Sequence, residues 1–230
     1  MTPFIRTQYI VDTMIRNIGK ENSIFNTFLS ELRDVNIQKD PLRFRRNLER
    51  IGEIFAYEIS KVMEYKKADI ETPLGEAHMS VLADKPVLAT IMRAGLPLHQ
   101  GMLNFFDQAE NAFISAYRKY DADEDFVIKL NYVSSPNIQN KTLILSDPML
   151  ATGGSIVASL KGIYEKGEPA HTHVVCVLAS EEGIKTIRKN FSLKKMTLWV
   201  GAIDDELTAK AYIVPGLGDA GDLAYGAKED

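Results

Sequence analysis

The sequence has 230 residues, of which 45% are hydrophobic and 25% charged, and its net charge is −4. These values are ordinary for a globular protein with a sizeable core, and they exclude a protein that is basic overall, as general nucleic-acid binders are. No apolar run approaches the ~20 residues that a membrane-spanning helix needs.

The N-terminal part of the chain, residues 1–66, is predicted to be mainly helical. Pro41 is typical of the first position of a helix. The apolar residues that follow recur at helical spacing and form one stripe: Leu42, Phe44, Leu48, Ile51, Phe55, Ile59 and Met63. A short β segment is expected at 76–82, after a turn at 71–75.

From Lys85 onwards, apolar segments rich in β-branched residues alternate with helical patterns. Strands are predicted at 87–91, 112–117, 126–133, 142–145, 172–179 and 196–200. Helices are predicted at 97–105, 156–164 and 181–190, and a polar loop at 118–125. This alternation is typical of an α/β fold with a mostly parallel sheet flanked by helices. We predict one domain with a helical arm (1–66), an α/β core (67–200) and a closing segment (201–230).

The most informative segment is 142–155, in which a buried strand leads into a glycine-bearing turn and then into a helix. Its turn comprises Asp147, Pro148, Met149, Leu150, Ala151, Thr152, Gly153, Gly154 and Ser155. Such a turn directs unpaired N–H groups and the positive end of a helix dipole to one point, which suits a phosphate. The hydroxyls of Thr152 and Ser155 can add donors, and Asp147 stands where open α/β sheets bind ligands. A Thr-Gly-Gly turn alone more often only caps a helix.

The nine-residue string DPMLATGGS resembles the loop that binds phosphoribosyl diphosphate (PRPP) in uracil phosphoribosyltransferases, a family of type I phosphoribosyltransferases. Most type I enzymes carry two adjacent acids where this chain has Asp-Pro. The resemblance implies that the whole string binds PRPP, and a carboxylate at Asp147 can accept hydrogen bonds from ribose hydroxyls.

Two arginines, Arg93 and Arg118, stand in strings that also resemble this family. The string Arg93-Ala94-Gly95-Leu96 alone indicates a simple turn with a surface arginine, but PRPP carries two separate anionic groups that two loops would hold apart. The string also resembles the family's loop for the diphosphate. Arg118 resembles an arginine that precedes a mobile loop over PRPP, although a solvated strand end is the alternative. The acidic stretch 121–125 is expected to be the solvated tip of that loop.

The C-terminal segment contains glycines at 216, 218 and 221, a spacing that matches the dinucleotide-binding fingerprint. Pro215 precedes these glycines, and only nine residues follow them, so the helix and second strand of that motif cannot form. The string YIVPGLGDAGD resembles instead the uracil-binding loop of the same family.

The resemblance implies uracil contacts at Tyr212, Ile213, Gly218, Asp219 and Ala220. The carbonyl of Ile213 can accept the N3–H of uracil, and the N–H groups of Gly218 and Ala220 can serve its two carbonyls. Cytosine, which lacks that donor and carries an amine, would leave buried groups unpaired. Asp219 would reach the hydrated Mg²⁺ on PRPP or help to remove the N1 proton.

The chain departs from the family's pattern at four places. It has no histidine near Asn22 or Ser23, it has Ser134-Ser135 before Pro136, it has Ala211 where glycine is common, and it has Leu223 where a basic residue is usual. These departures bear on rate, regulation and oligomer contacts and leave the ligand motifs intact.

Other polar residues have simpler interpretations. The cationic run consists of Lys39, Arg43, Arg45, Arg46 and Arg50. Because Glu49 and Glu53 interleave with this run, a solvated helix face is favoured over an RNA-binding surface. The histidines show no metal-binding spacing, although His171 and His173 share one face of a strand; the others are His78 and His99. Cys176 lies in the apolar run 174–178 and is expected to be an unreactive core thiol.

The predicted reaction joins uracil to PRPP and gives uridine 5′-monophosphate (UMP) and diphosphate. Arg93, Arg118 and Asp219 are the predicted catalytic residues, and Mg²⁺ is expected to arrive with PRPP. An RNA-binding regulator of pyrimidine genes on the same fold is the alternative. We expect a cytoplasmic protein that forms a homodimer or a higher homo-oligomer and has no signal peptide or membrane contact, and GTP is a candidate effector.

Overall fold

The strands and helices follow the predicted α/β order. The computed structural model describes the backbone of residues 15–120 and 126–228, and their side chains except those of 117–120, 126–129 and 193. The strands are β1 (Ile15–Asn17), β2 (Tyr65–Thr72), β3 (Gly75–Leu82), β4 (Val87–Met92), β5 (Glu110–Tyr120), β6 (Phe126–Ser134), β7 (Thr142–Ser146), β8 (Met149–Leu150), β9 (His171–Ser180), β10 (Met196–Asp204), β11 (Glu206–Leu207) and β12 (Ile213–Val214). The helices are α1 (Ile24–Arg33), α2 (Pro41–Ser60), α3 (Gly95–Leu103), α4 (Gly154–Tyr164), α5 (Glu181–Asn190) and α6 (Ala220–Tyr225).

A central sheet organises the molecule in the order β1-β10-β9-β7-β4-β5-β6, with β8 paired to β9. All neighbouring strands in it are parallel except β5 and β6, which are antiparallel. The prediction of a mostly parallel sheet flanked by helices is confirmed. β2 and β3 form a separate hairpin, and β11 and β12 form a second two-stranded sheet.

Helices cover both faces of the central sheet, which explains the nearly continuous apolar runs of its inner strands. Successive residues of a strand point to opposite faces. Leu143 and Leu145 of β7 therefore pack in a cluster with Leu160 of α4, whereas Ile144 packs with Leu48 of α2. The sheet thus separates two cores, one under α4 and α5 and the other under α1, α2 and α3.

The start of α2 is confirmed at Pro41. The side chain of Asp40 caps the helix by accepting hydrogen bonds from two first-turn N–H groups, and Pro41 needs no acceptor there. Most of the predicted stripe is buried, but Leu42 is 62% exposed. No helix in the described part of the chain is long and apolar enough to span a membrane.

Helices α2 and α3 touch through their backbones. A Cβ atom on Gly101 would lie 1.9 Å from the carbonyl oxygen of Glu49, and one on Gly52 would lie 2.2 Å from that of Leu98. Only glycine permits so close an approach. The contact brings α3, which follows β4 directly, tightly against the longest helix.

Several boundaries differ from the sequence predictions. β2 was not predicted, since its first two residues were assigned to the helical arm and its last two to a turn, and β1 was missed within that arm. β5 continues to Tyr120, where the loop at 118–125 was expected, and β10 continues to Asp204. β1 is an edge strand and β2 lies outside the central sheet, so neither needs to be continuously apolar, whereas the added residues of β5 and β10 extend strands whose inner parts were predicted. Residues 1–14 of the arm and the acidic stretch 121–125 lie outside the described residues.

Candidate active site

A cavity of about 740 Å³ lies beside the carboxyl end of β7 and brings together two of the predicted loops. The predicted residues that line it are Asp147, Met149, Ala151, Thr152, Gly153, Ser155, Tyr212, Ile213, Gly218, Asp219 and Ala220. A smaller cavity of about 500 Å³ between α2 and α3 has none of the predicted site residues in its lining. The larger cavity is therefore the candidate active site.

Some predicted PRPP residues lie beside this cavity without lining it. Leu150 is fully buried in β8, which pairs with β9. Pro148 is held against β9 as well, since its carbonyl accepts hydrogen bonds from the N–H groups of Val177 and Leu178. Gly154 begins α4. The side chain of Arg118 lies outside the described residues, and only its backbone pairing in the β5–β6 ladder is known.

The turn before α4 has a conformation that suits the binding of an anion. Gly153 has a φ of 85°, and a Cβ atom there would lie 3.0 Å from the Thr186 side chain. Glycine is therefore required both for its conformation and for space. No side chain caps the first turn of α4, so its N–H groups remain available to an anion from outside the helix.

Helix α5 supports the back of this loop, which the sequence analysis did not foresee. The hydroxyl of Ser180 donates to the carbonyl of Ala151 at 2.6 Å and accepts from the N–H of Gly183 at 2.9 Å. A Cβ atom on Gly183 would lie 2.4 Å from the same carbonyl oxygen. The phosphate loop therefore rests directly on the first turn of α5.

Asp147 occupies a weakly solvated position directly after β7. Its Oδ1 accepts a hydrogen bond from the N–H of Met149 at 3.3 Å, and its own N–H donates to Val175 at 3.0 Å. Desolvation raises the pKa of this carboxyl to about 7, against the smaller lowering effect of the Met149 hydrogen bond. Near neutral pH, the carboxyl is thus close to its point of half-protonation.

Arg93 connects the turn after β4 to the C-terminal segment. Its Nη2 donates to Asp222 Oδ1 at 3.1 Å and to the carbonyl oxygen of Gly226 at 3.3 Å. A Cβ atom on Gly95 would lie 2.2 Å from Thr90 Oγ1, so α3 begins in close contact with β4. The guanidinium is 40% exposed and lies beside the cavity.

The C-terminal segment forms a compact loop rather than a dinucleotide-binding unit. β12 pairs with β11, and the short helix α6 begins at Ala220. Gly216 and Gly218 have φ values of 57° and 95°, which favour glycine. Asp219 caps α6, and its Oδ1 accepts from the N–H of Asp222 at 3.0 Å. The peptide bonds Met92–Arg93 and Val214–Pro215 are cis.

A family model described as uracil phosphoribosyltransferase matches residues 20–227. The chain belongs to the uracil phosphoribosyltransferase family. It is 54% identical to the uracil phosphoribosyltransferase of Porphyromonas gingivalis over 212 residues, 92% of this chain and 98% of that protein. It is 39% identical to the one of Pyrococcus furiosus over 201 residues, 86% of this chain and 84% of that protein.

A solved structure has a similar fold. The AQ2163 protein of Aquifex aeolicus superposes with a TM-score of 0.82 and is 28% identical, and the match covers 93% of this chain and 98% of that one. The resemblance to the uracil phosphoribosyltransferase family that the sequence motifs indicated is thus confirmed over most of the chain.

Two departures from the pattern of the uracil phosphoribosyltransferase family have visible consequences. Ala211, where the family commonly has glycine, has a φ of 59°. A left-handed conformation costs a residue with a Cβ atom about 1–2 kcal/mol. Leu223, where a basic residue is usual, is partly buried against the core under α1, α2 and α3.

The sequence analysis missed part of the cavity lining. The additional residues are Ala94, Ala116, Ile156, Ala211, Gly221, Asp222 and Lys228. Asp222 belongs to the quoted family string, which was a usable signal, whereas nothing in the sequence distinguished Lys228. Arg33 and Asp204, which hold Gly216 from outside the cavity, were also missed because each looks like an ordinary charged residue at the end of an element.

Three arginines of the cationic run have partners within the protein. In α2, Arg43 pairs with Glu31, Arg46 pairs with Glu49, and Arg45 donates to a backbone carbonyl of α6. The described residues contain no group of three His, Cys, Asp or Glu side chains suited to a metal ion. Burial raises the pKa of the Cys176 thiol well above its ordinary value, as expected for an unreactive core cysteine.

Proposed function

We propose that the protein transfers the 5-phosphoribosyl group of PRPP to N1 of uracil, giving UMP and diphosphate. One observation carries the proposal: in a member of the uracil phosphoribosyltransferase family, an uncapped helix start and the glycine-rich C-terminal loop line the same cavity. The first suits a phosphate group, and the second offers backbone donors and acceptors to a base.

The 5-phosphate would bind at the start of α4. The N–H groups of its first turn supply donors, and the hydroxyls of Thr152 and Ser155 add two more from the cavity wall. Asp147, at the same wall, would accept hydrogen bonds from the ribose hydroxyls. This arrangement would fix the sugar with its C1 towards the C-terminal segment.

The diphosphate would lie near Arg93, whose guanidinium connects the turn after β4 to the C-terminal segment. Its guanidinium would exchange the carbonyl of Gly226 for diphosphate oxygens, which bind it more strongly. Arg118 remains a prediction from the family resemblance. The two arginines would stabilise the negative charge that develops on the leaving group.

The carboxylates near the cavity fit a magnesium ion held mainly by the substrate. Asp147 and Asp219 both line the cavity. Mg²⁺ commonly needs only one or two protein carboxylates when phosphate oxygens and waters complete its coordination shell. Asp219 would contact such an ion through water. When bound, Mg²⁺ would neutralise the charge of the leaving diphosphate.

Uracil would bind along the backbone of the 213–220 segment. The carbonyl of Ile213 would accept the N3–H, and the N–H groups of Gly218 and Ala220 would donate to the two base carbonyls. Tyr212 lies beside this edge at the cavity wall. N1 would then attack C1 of the ribose as diphosphate departs, and the N1 proton would pass to Asp219 or to water. This displacement needs positioning and charge stabilisation and no covalent intermediate.

The test is an absorbance assay with PRPP and Mg²⁺ in which uracil, cytosine, hypoxanthine and orotate are compared. Turnover with uracil alone is the expected result. Turnover with another base would contradict the assignment of the C-terminal loop and keep the PRPP site. No turnover with any base, with or without GTP, would contradict the proposal.

The RNA-binding alternative gains no support, since Arg43, Arg45 and Arg46 are engaged within the protein. A cytoplasmic location, a homodimer and a response to GTP remain predictions from the sequence and the family resemblance.

A further inference from the structure

We propose that Arg33 and Asp204 act as a positioning pair that fixes the backbone edge with which the 213–220 segment binds the base. The proposal rests on the proposed function, because it assigns these residues a role in base recognition. Neither residue lines the cavity, so the pair would act only through the loop that it holds.

The pair has a geometry that leaves little freedom. The Nη1 and Nη2 atoms of Arg33 each donate to a different carboxylate oxygen of Asp204, both at 2.8 Å. Asp204 is only 7% exposed, and the Arg33 side chain is 24% exposed. A two-pronged ion pair of this kind restricts both orientation and distance. It joins the last residue of α1 to the last residue of β10.

Both backbone groups of Gly216 are bound by this pair. Its N–H donates to Asp204 Oδ2 at 3.0 Å, and its carbonyl accepts from Arg33 Nη1 at 3.0 Å. The N–H belongs to the peptide unit before Gly216 and the carbonyl to the unit after it. The orientation of two successive peptide planes is therefore set by two charged side chains.

The position of Gly216 bears directly on the acceptor proposed for uracil. A Cβ atom on Gly216 would lie 2.0 Å from the carbonyl oxygen of Ile213, so the two backbones are in close contact. Gly216 is also only two residues before Gly218, a proposed donor to the base. A shift of Gly216 would consequently move the acceptor and this donor together.

A second ion pair of the same kind provides a matched control. Arg43 donates to Glu31 through Nε and Nη2, both at 2.7 Å, and this pair also starts from α1. It connects α1 to α2 and has no hydrogen bond to the 213–220 segment. Loss of either pair would loosen the packing of α1, but only loss of the first would free Gly216.

The experiment compares Arg33→Lys and Asp204→Asn with Arg43→Lys and Glu31→Gln. For each protein, kcat and KM for the base, the dissociation constant of PRPP measured without base, and Tm are determined. We expect Arg33→Lys and Asp204→Asn to raise the KM for uracil roughly 10- to 100-fold, the scale of a misplacement of about 1 Å. The PRPP dissociation constant should stay unchanged, and the control variants should keep the wild-type KM for uracil.

Two results would overturn the positioning role. One is a wild-type KM for uracil in both Arg33→Lys and Asp204→Asn. The other is an equal weakening of uracil and PRPP binding, which would mark a merely structural pair. If Asp204→Asn does not fold, Arg33→Lys alone decides. If the wild-type protein uses a base other than uracil, the same KM comparison is made with that base, so this proposal is tested even where the proposed function fails.

Discussion

The carboxyl of Asp147 has an acidity set by desolvation, and this makes PRPP binding sensitive to pH. Its pKa of about 7 means that the carboxylate, the better acceptor for ribose hydroxyls, forms only as pH rises through neutrality. Asp147→Asn carries a neutral amide at every pH. We therefore expect the variant to bind PRPP more weakly than the wild type at about pH 8 and nearly equally at about pH 6, as measured by calorimetry.

The ionisation of PRPP itself cancels in the ratio of the two dissociation constants at each pH. A ratio that is the same at both pH values would contradict the role of Asp147. The substitution should not lower the free energy of unfolding. An acid whose folded-state pKa is raised contributes stability below its unfolded value of 3.8 and loses it as pH rises through about 7.

Arg93 is expected to stabilise the departing diphosphate. Arg93→Ala should lower kcat/KM about 10²-fold or more, the scale observed for losing one preorganised charge-stabilising group. The control is Arg46→Ala, because Arg46 pairs with Glu49 on α2 and its side chain is 60% exposed. Steady-state kinetics with uracil and PRPP measures both. A kcat/KM close to the wild type in Arg93→Ala would rule out this role.

Single residues were predictable where the signal is local. The glycine and hydroxyl residues of 147–155 follow one another in the chain, and their turn conformation depends on neighbours that the sequence displays. The partners Arg33 and Asp204 are 171 positions apart, and each alone resembles a solvated charge. No rule of spacing relates them, so only the fold reveals that they meet at Gly216.

Among the elements, the contact between α2 and α3 depends on glycines that cannot be enlarged. We expect Gly101→Ala to lower the free energy of unfolding by about 1–3 kcal/mol, because its Cβ atom would strike the carbonyl of Glu49 and force a backbone shift. Urea denaturation provides the measurement.

A glycine in another helix gives the control for this prediction. At Gly162 of α4, a Cβ atom would meet only the end of the Leu130 side chain, which can move. Gly162→Ala should therefore have little effect or stabilise the protein by up to about 1 kcal/mol through helix propensity. Equal effects of Gly101→Ala and Gly162→Ala would contradict the backbone-contact argument.

Buried strands were easier to predict from the sequence than exposed or very short ones. The inner strands β4, β7 and β9 are apolar on both faces, and their patterns identified them. The hairpin of β2 and β3 is mostly exposed, so its β2 strand lacked an apolar pattern. β1 has only three residues and is recognisable as a strand only through its pairing with β10. The predicted helices were found because apolar stripes, and the caps of α2 and α5, are properties of local sequence.

For the whole molecule, buried histidines predict a loss of stability in acid. Burial lowers the pKa of His173 to about 3, with smaller contributions from His171 and Arg16. A histidine with a lowered folded-state pKa contributes stability above its unfolded value of 6.5, and this is lost as pH falls towards about 3. As the pH falls from about 7 to about 5, the free energy of unfolding of the wild type should decrease by about 2 kcal/mol because of His173.

The measurement is urea denaturation followed by the fluorescence of the only tryptophan, Trp199, whose indole N–H donates to His173. His173→Gln, which keeps an acceptor for this N–H, should lose correspondingly less stability between the two pH values. Equal slopes in the two proteins would disprove the assignment to His173.

The ion pair between α1 and β10 also shows the order in which the parts of the site are made during synthesis. Arg33 is made 171 residues before its partner, which at about 5–20 residues per second corresponds to roughly 10–30 seconds of translation. Residues 142–155, the strand and turn proposed to bind phosphate, are made about two thirds of the way through that interval, whereas the 213–220 segment does not yet exist. A chain terminated between residues 155 and 204 would thus contain the anion-binding turn without the segment that chooses a base. Base selection is acquired last, when α1 meets the end of β10.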